Sequence, residues 1–307
     1  MLNEIQNRIL QEVADMANIP AQGAVNIRSD GKKAFRQNTK NITIESKTDK
    51  DGIDIRIAPG TRAEHVYIPV VVTESGRHDV VYNDFFIGEG ADVTIVAGCG
   101  VHSDGSETAR HNGIHRFFLE KGARVLYKEK HIGTGKGTGL RKIDPVTDAY
   151  LKEDSYLEMD TVQLRGVDRT TRSTSAVLEK GAKIVVRERI MTDGDEDAVT
   201  KFKVELNGED CGADLVSRSV ARGNSHQAFY SVIEGNNRCT GHSACDAILA
   251  ENGRVDAQPA LNAANVDAAL IHEAAIGKIA GDQIMKLCSL GLTREEAEEK
   301  IIEGFLK

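Results

Sequence analysis

Gly90-Ala-Asp-Val-Thr-Ile-Val-Ala97, Gly122-Ala-Arg-Val-Leu-Tyr-Lys-Glu129, Gly181-Ala-Lys-Ile-Val-Val-Arg-Glu188 and Gly212-Ala-Asp-Leu-Val-Ser-Arg-Ser219 are four copies of one short unit. In each, a glycine opens a run of alternating or near-continuous apolar residues. The copies lie 32, 59 and 31 residues apart, and 59 is about twice 30. Fainter copies begin at Gly60, Gly76, Gly166, Gly223, Gly235 and Gly253. The underlying step is about 15 residues, one strand plus one turn. A unit this short cannot bury its own apolar face, so the copies must stack. The pattern predicts a mostly β chain folded as a parallel β-solenoid. Val93, Val125, Ile184 and Leu215, each three residues after its glycine, are the expected equivalent interior positions.

Composition agrees with a narrow interior. The 307 residues include no Trp and only 5% aromatics, so Val, Ile, Leu and Ala must build the core. A formal net charge of -8 argues against nucleic acid as the main partner, because phosphate binding needs an excess of Lys and Arg. Arg165, Arg169 and Arg172 are read as solvated. No segment approaches the ~20 apolar residues of a membrane span. The first residues, Met-Leu-Asn-Glu-Ile-Gln, lack the pattern of a signal peptide. Five cysteines, Cys99, Cys211, Cys239, Cys245 and Cys288, are too few and odd in number for a disulfide framework. These features together predict a cytoplasmic protein with reduced thiols.

Three regions follow from periodicity. Residues 1–37 read as a helical segment, with Leu2, Ile5, Ile9 and Val13 on one stripe, and a polar connector from Gly23 to Gln37. Residues 38–270 read as the solenoid, interrupted by irregular loops at His131–Leu140 and Thr192–Asp197. Residues 271–307 read as a helical hairpin. Ile276, Ala280, Ile284 and Leu287 form its first stripe, and Gly291 ends that helix. Thr293 and Glu296 have capping-box spacing, and Ala297, Ile301 and Phe305 form the second stripe. Such a hairpin cannot hide both apolar faces alone, so it is expected to cap the solenoid end, to meet a partner, or both.

Several short motifs invite chemistry. Gly-Thr-Gly-Lys-Gly-Thr-Gly at 133–139 has the wrong order for a phosphate loop, and no helical pattern follows it, so a flexible solenoid loop is expected. Asp193, Asp195 and Asp197 match the first ligands of a calcium loop, but Ala198 and Val204 occupy its glycine and glutamate positions, leaving a solvated turn. Cys239, His242 and Cys245 have Cys-x2-His-x2-Cys spacing, which suits zinc or iron. Strand alternation opposes this, placing both cysteines on one face and His242 on the other, and buried cysteine is also a common core residue. His111 and His115, four apart, share a strand face and read as exposed. His272 and Glu273 sit at the expected strand-to-helix junction, where a carboxylate can simply offset the helix dipole.

The run His-Glu-Ala-Ala-Ile-Gly-Lys-Ile-Ala-Gly-Asp-Gln-Ile from His272, with the Gly291-Leu292 turn, the acidic last helix and the closing Gly304-Phe305, resembles the end of the SufB/SufD family. Cys245-Asp246 and the apolar run after it resemble that family too. Its members are scaffolds of SUF iron–sulfur cluster assembly. The resemblance is close over about 70 residues and architectural elsewhere. It implies a right-handed parallel β-helix with helical ends. It also implies a transient iron–sulfur cluster, sulfur-donor and apo-protein acceptor partners, and a SufC-like ABC ATPase bound by the C-terminal helices.

The chain departs from SufB in having Gly253 and Asp256 where SufB subunits carry Cys and His, yet it keeps the His-Glu of SufB at 272–273. A compact, undifferentiated member is implied, which would serve both roles as a homodimer paired through its β-helix core. His272 and Glu273 are then candidate cluster ligands, with Cys245, Cys239 and His242 as candidates for ligation or persulfide handling. The candidate ATPase contacts are Ile284, Leu287, Gly291, Ala297, Ile301 and Phe305. No phosphate loop is present, so ATP hydrolysis is expected in the partner and the chain itself is expected to be no enzyme. No motif specifies the cluster type or flavin binding. Two other classes share the solenoid: a protein-binding scaffold without cluster chemistry, and a polysaccharide-active enzyme, which would normally carry aromatic sugar platforms.

Overall fold

A computed structural model of the protein describes residues 2–14, 16, 20 and 22–307. Helix α1 (Glu4–Ala14) precedes two antiparallel hairpins, β1 (Ala24–Ser29) with β2 (Lys32–Gln37), and β3 (Ile42–Ser46) with β4 (Gly52–Ile57). The coils then begin with β5 (Arg62–Val72), β6 (His78–Ile87), β7 (Asp92–His102), β8 (Ala109–Leu119) and β9 (Arg124–Thr134). The next strand is broken into β10 (Arg141–Ile143) and β11 (Val146–Leu151). After it come β12 (Tyr156–Gln163), β13 (Arg169–Leu178), β14 (Lys183–Thr192), β15 (Asp197–Leu206), β16 (Gly212–Ala221) and β17 (His226–Gly235). The chain ends in β18 (Cys239–Leu249), β19 (Arg254–Ala263), β20 (Ala268–Gly277), α2 (Gly281–Cys288) and α3 (Arg294–Phe305).

Successive strands alternate between two sheets. One runs β2-β1-β5-β7-β9-β12-β14-β16-β18-β20 and the other β19-β17-β15-β13-β10-β8-β6-β4-β3, with β11 joining β8 to β13. Beyond the hairpins every pairing is parallel, making a solenoid of about 8 turns in which strands account for 58% of the chain. Antiparallel pairing at Gly122 or Gly181 does not occur. Val93, Val125, Leu157 and Ile184 form one inward column. Ile184 pairs with Ala213, so Leu215 stands one inward position further on, behind Ile95, Tyr127, Met159 and Val186. All four expected positions are buried.

The turns explain that offset. Gly88–Ala91, Glu120–Ala123, Lys152–Ser155 and Glu179–Ala182 each close with a backbone hydrogen bond of 3.0–3.1 Å from fourth residue to first. The third residue of each has positive φ: +62° at Gly90, +64° at Gly122, +58° at Asp154 and +66° at Gly181. Only Gly adopts this region freely, while Asp tolerates it. Asp154 is thus the missing copy in the 59-residue gap. Before β16 the positive-φ residue is Asp210, two residues ahead of Gly212.

Two boundaries and the packing of one helix differ from expectation. The polar connector is the hairpin β1–β2, whose β1 pairs with β5. Its alternation was masked by Lys32, Lys33 and Arg36. Helix α1 does not cover a solenoid end, where terminal helices are expected to shield exposed strand edges. It lies on the first sheet, burying Ile9, Leu10 and Val13 with Val25, Ile27, Val71 and Ile132. The strands extend past residue 270 to Gly277, so Ile276 belongs to β20 and not to a helical stripe.

The tail does not cap the C-terminal end either. Ile302 and Leu306 pack on Val220 of β16, beside Leu164, Met191 and Ile248, on the flank of the first sheet. The capping box at Thr293 and Glu296 is formed. Among the described residues, strands β19 and β20 are therefore paired on one side only. Around them Ile271 is 56% exposed and Val266 99%.

Gly122→Ala should destabilise the protein by about 1–2 kcal/mol through backbone strain alone, because an added Cβ meets nothing within 4 Å. Urea denaturation followed by circular dichroism measures this, and an unchanged midpoint would contradict the turn assignment.

Candidate functional site

Alternation points every second side chain of each strand inward, and at several of these positions the inward residue is polar or charged. On β8 the inward residues are His111, Gly113, His115 and Phe117, so the two histidines share a face as expected but are buried. Arg172 is buried too, not solvated. Its guanidinium reaches Glu129 at 2.5 Å and Glu188 at 3.4 Å, and donates to His131 Nδ1 at 3.2 Å. Tyr127 donates to Glu129 at 2.8 Å, and His115 Nδ1–H donates in turn to the Tyr127 oxygen at 2.8 Å. Thr200 and Ser217 donate to Glu188 at 2.9 and 2.7 Å. Towards the N-terminal end, His111 donates to Asp79 at 3.1 Å, and Arg28 caps that carboxylate at 2.7 Å.

The lane runs to Cys245. Glu129, Thr161, Glu188, Ser217 and Cys245 are register partners in five successive strands of the first sheet. Burial would raise the Glu129 pKa, but His131 and Arg172 outweigh it and hold the carboxyl well below its usual range. Burial lowers His115 to about 4. Burial, with the charges of Glu188 and Asp246, pushes the Cys245 thiol up to about 12. Burial likewise pushes Cys211, the register neighbour of Cys239, up to about 11. All five cysteines are free thiols.

Around Cys245 the expected site residues divide between two faces. Cys239 and Cys245 are buried on the inner face of β18, and His242 is on the outer face, as alternation requires. Cys239 and Cys245 are six residues apart, roughly 20 Å along the strand, too far to share one ion. On β20, His272 pairs with Ser243 and faces inward, while Glu273 faces outward. His272 and Cys245 are thus diagonal neighbours on the inner face, and His272 Nδ1 is buried without a hydrogen-bond partner. Outside, His242 Nδ1 lies 2.8 Å from Asp214 and its Nε2 lies 3.9 Å from Glu273. Among the described residues, no three His, Cys, Asp or Glu side chains converge to hold a metal ion within one chain.

The remaining motifs are structural. The 133–139 loop stacks on the preceding coil. Gly137 and Gly139 donate to the carbonyls of Ser103 and Gly105 at 2.9 and 3.0 Å, and Lys136 N–H donates to Asp104 at 2.9 Å. Side chains at these glycines would strike the backbone beneath. Asp193 accepts from Gly194 within its own turn, and Asp197 pairs with His226, so the acidic loop gathers no cation site. His226 also reaches Asp256 at 2.8 Å, and these hydrogen bonds raise its pKa. At Gly253 a side chain would overlap the backbone of Ala221, which leaves no room there for a cysteine.

In the tail, Ile284 and Ala297 are buried, Leu287, Ile301 and Phe305 are half-buried, and Gly291 is exposed. The free apolar surface is instead Met285, 68% exposed, and Leu290, 76% exposed. Neither falls on the stripes that sequence periodicity selects. Among the described residues, no helix is long and apolar enough to cross a membrane.

A family model described as "SUF system FeS cluster assembly, SufBD core domain" matches residues 72–305. The chain is 28% identical over 277 residues to an "Iron-sulfur cluster assembly SufBD family protein" of Archaeoglobus fulgidus, covering 90% of this chain and 73% of that protein. A protein with the same description from Methanothermobacter thermautotrophicus is 27% identical over 267 residues. That match covers 85% of this chain but only 64% of the longer relative. One from Methanocaldococcus jannaschii is 24% identical over 275 residues, covering 88% and 86%.

Arg172→Met should cost about 3–5 kcal/mol, because Glu129 and Glu188 would be left as buried charges without a counter-ion. The deficit should shrink on acidification, since a protonated carboxyl needs no counter-charge. Denaturant midpoints between neutral and acidic pH test both statements. A variant as stable as the parent at neutral pH would show that the network contributes nothing.

Proposed function

The chain belongs to the SufBD family of iron–sulfur cluster assembly proteins, and on that premise we propose that it is a scaffold joining iron and sulfide at the open C-terminal end of its solenoid, between two copies of itself. The observation that carries this reading is the last coil. There β20 has one unpaired edge, and Cys245 and His272 lie diagonal on its inner face, with an unpartnered imidazole nitrogen aimed inward.

One chain supplies too few ligands at that point. A second copy set edge to edge would satisfy the unpaired backbone groups, cover Ile271 and double each ligand. Thiolate and imidazole are both established iron ligands, and thiolate is the softer. Iron and sulfide are cargo, received from donors and passed to apo-proteins. The Cys245 thiol is protonated at neutral pH, so ligation must release a proton and loading should improve as pH rises. Glu273 and His242 would act from the outer face, where the neighbouring copy could complete them.

The chain acts as a cytoplasmic scaffold and not as an enzyme. Nucleotide hydrolysis belongs to a SufC-like ABC ATPase docked on the tail. Ile284 and Ala297 are occupied by packing, so the contact is made by Met285, Leu290 and the turn at Gly291. Packing of α3 on β16 would carry the ATPase's movement to the strands that hold Cys245.

Anaerobic reconstitution of His272→Ala, Cys245→Ala and Glu273→Ala, each checked by circular dichroism, should show severe loss of bound iron and sulfide for the first two. Cys239→Ala should load normally, because its inward position is roughly 20 Å along the strand from Cys245. Equal loading by the parent, His272→Ala and Cys245→Ala would place the site elsewhere and favour a solenoid without cluster chemistry.

Light scattering should give the mass of two protomers, and Ile271→Lys on the edge strand should give one. Leu290→Glu should weaken ATPase capture without changing that mass. A strict monomer at micromolar concentration, with and without the ATPase, would overturn the two-copy site.

A further inference from the structure

The opposite end of the solenoid, away from the last coil, holds a polar cavity. Hairpins β1–β2 and β3–β4 enclose a space of about 120 Å³ there. Its charged lining is Arg28, Lys33, Arg36, Lys47 and Lys50 against a single carboxylate, Asp51. A register shift in the first hairpin builds this lining. Ile27 pairs with Phe35 but Arg28 pairs with Lys33, so Ala34 is the extra residue of a bulge. The bulge turns Lys33 onto the same face as Arg36, towards the cavity.

Two of the five cations are neutralised by the protein. Arg28 is held by Asp79 at 2.7 Å, and Lys47 by Asp54 and by Asp84 at 2.7 Å. The other three are not. Arg36 is half-buried and donates only to neutral groups, to Asn26 Oδ1 at 2.9 Å and Ser46 Oγ at 3.0 Å. Among the described residues, no carboxylate lies within ion-pair distance of Arg36 or Lys33. Lys50 lies over the Tyr82 ring at 4.6 Å, and its nearest carboxylate, Asp49, is exposed and 3.9 Å away. Burial lowers the pKa of Arg36, the mark of a charge that lacks a counter-ion. Its guanidinium carries five N–H donors, of which the protein engages two.

We propose that this cavity is a binding site for a tetrahedral oxyanion, either inorganic phosphate or the terminal phosphate of a small metabolite. A dianion matches a partly desolvated Arg flanked by two Lys, and the planar guanidinium fork suits phosphate oxygens. The volume is about ten times what a single water requires, enough for a phosphate group but well below the 300–1,000 Å³ or so of sites that enclose a whole drug-sized ligand. Any larger ligand must therefore leave its remainder outside, past the exposed Asp51.

Isothermal titration of the full-length protein with inorganic phosphate, with ribose 5-phosphate and with ionic-strength-matched chloride tests the site. Thermal unfolding in the same buffers gives a second readout. Phosphate should bind and raise the unfolding temperature where chloride does neither. Lys33→Gln and Lys50→Gln, which break no ion pair within 3.5 Å, should each weaken binding about tenfold, and Arg36→Gln should abolish it. Tight binding of ribose 5-phosphate would identify a terminal-phosphate site, and binding of inorganic phosphate alone a closed ion site. An equal response to chloride, or a Lys33→Gln/Lys50→Gln double variant that binds phosphate as the parent does, would overturn the proposal.

Discussion

Each coil hydrogen-bonds in register to the one before it, so a side chain's direction is inherited by its counterpart in the next turn. This constraint arranges everything else. It makes columns of Val, Ile and Leu from sequences that share little beyond a turn. It stacks Phe85 on Phe117 at 4.4 Å inside the coil. Outside, Phe86, Phe118 and Tyr150 form a parallel ladder spaced 5.3 and 5.2 Å. At the turns it sets Lys121 beside Glu153 at 2.9 Å and Lys152 beside Glu120 at 2.7 Å. It also lets one buried polar residue line up behind another, which turns isolated substitutions into a continuous lane.

A buried lane of charge is costly unless each member is satisfied. Here one arginine serves two carboxylates from β9 and β14, the strands on either side of β12, and a tyrosine and two hydroxyl residues take up remaining acceptor sites. His115 and His131 remain neutral because burial disfavours their charged forms. The lane thus sets one guanidinium against two carboxylates, and hydroxyl donors to Glu129 and Glu188 offset the remaining charge. At its C-terminal limit the last inward position is a thiol whose proton is firmly held, beside an edge strand that none of the described residues covers.

The fold was largely legible because its turn chemistry recurs. Glycine marks the turns at Gly60, Gly76, Gly90, Gly122 and Gly181, but Asp154 and Asp210 do the same work without the signature, so the sequence shows no copy at the first and a copy two residues late at the second. Residues 24–37 alternate too weakly, under their many cations, to announce a hairpin. The Ala-rich stretch from His272 to Gly277 carries no clear period, so its strand reads from sequence as a helix entry. Where the tail docks depends on an apolar strip at Met191, Val220 and Ile248 that local sequence does not reveal. For the site, alternation alone separated His242 from the two cysteines. His272 and Glu273 came from resemblance, and only the register showed that they face opposite ways. The interior charges look like surface residues in sequence because a lone Arg or His usually is one; the partners that bury Arg172 are 16 to 43 residues away.

Coil stacking also gives the molecule a length that is counted and not tuned. From β5 to β20 the first sheet advances seven strand spacings, about 34 Å at ~4.8 Å each. The two chemically distinct ends are held apart by that whole number of steps, whatever side chains fill the interior. Duplication or loss of one coil would move one end relative to the other by a single increment without disturbing the residues at either. A solenoid built this way can change its reach in evolution while keeping both ends of the stack intact, like a rack whose shelves can be added but not stretched.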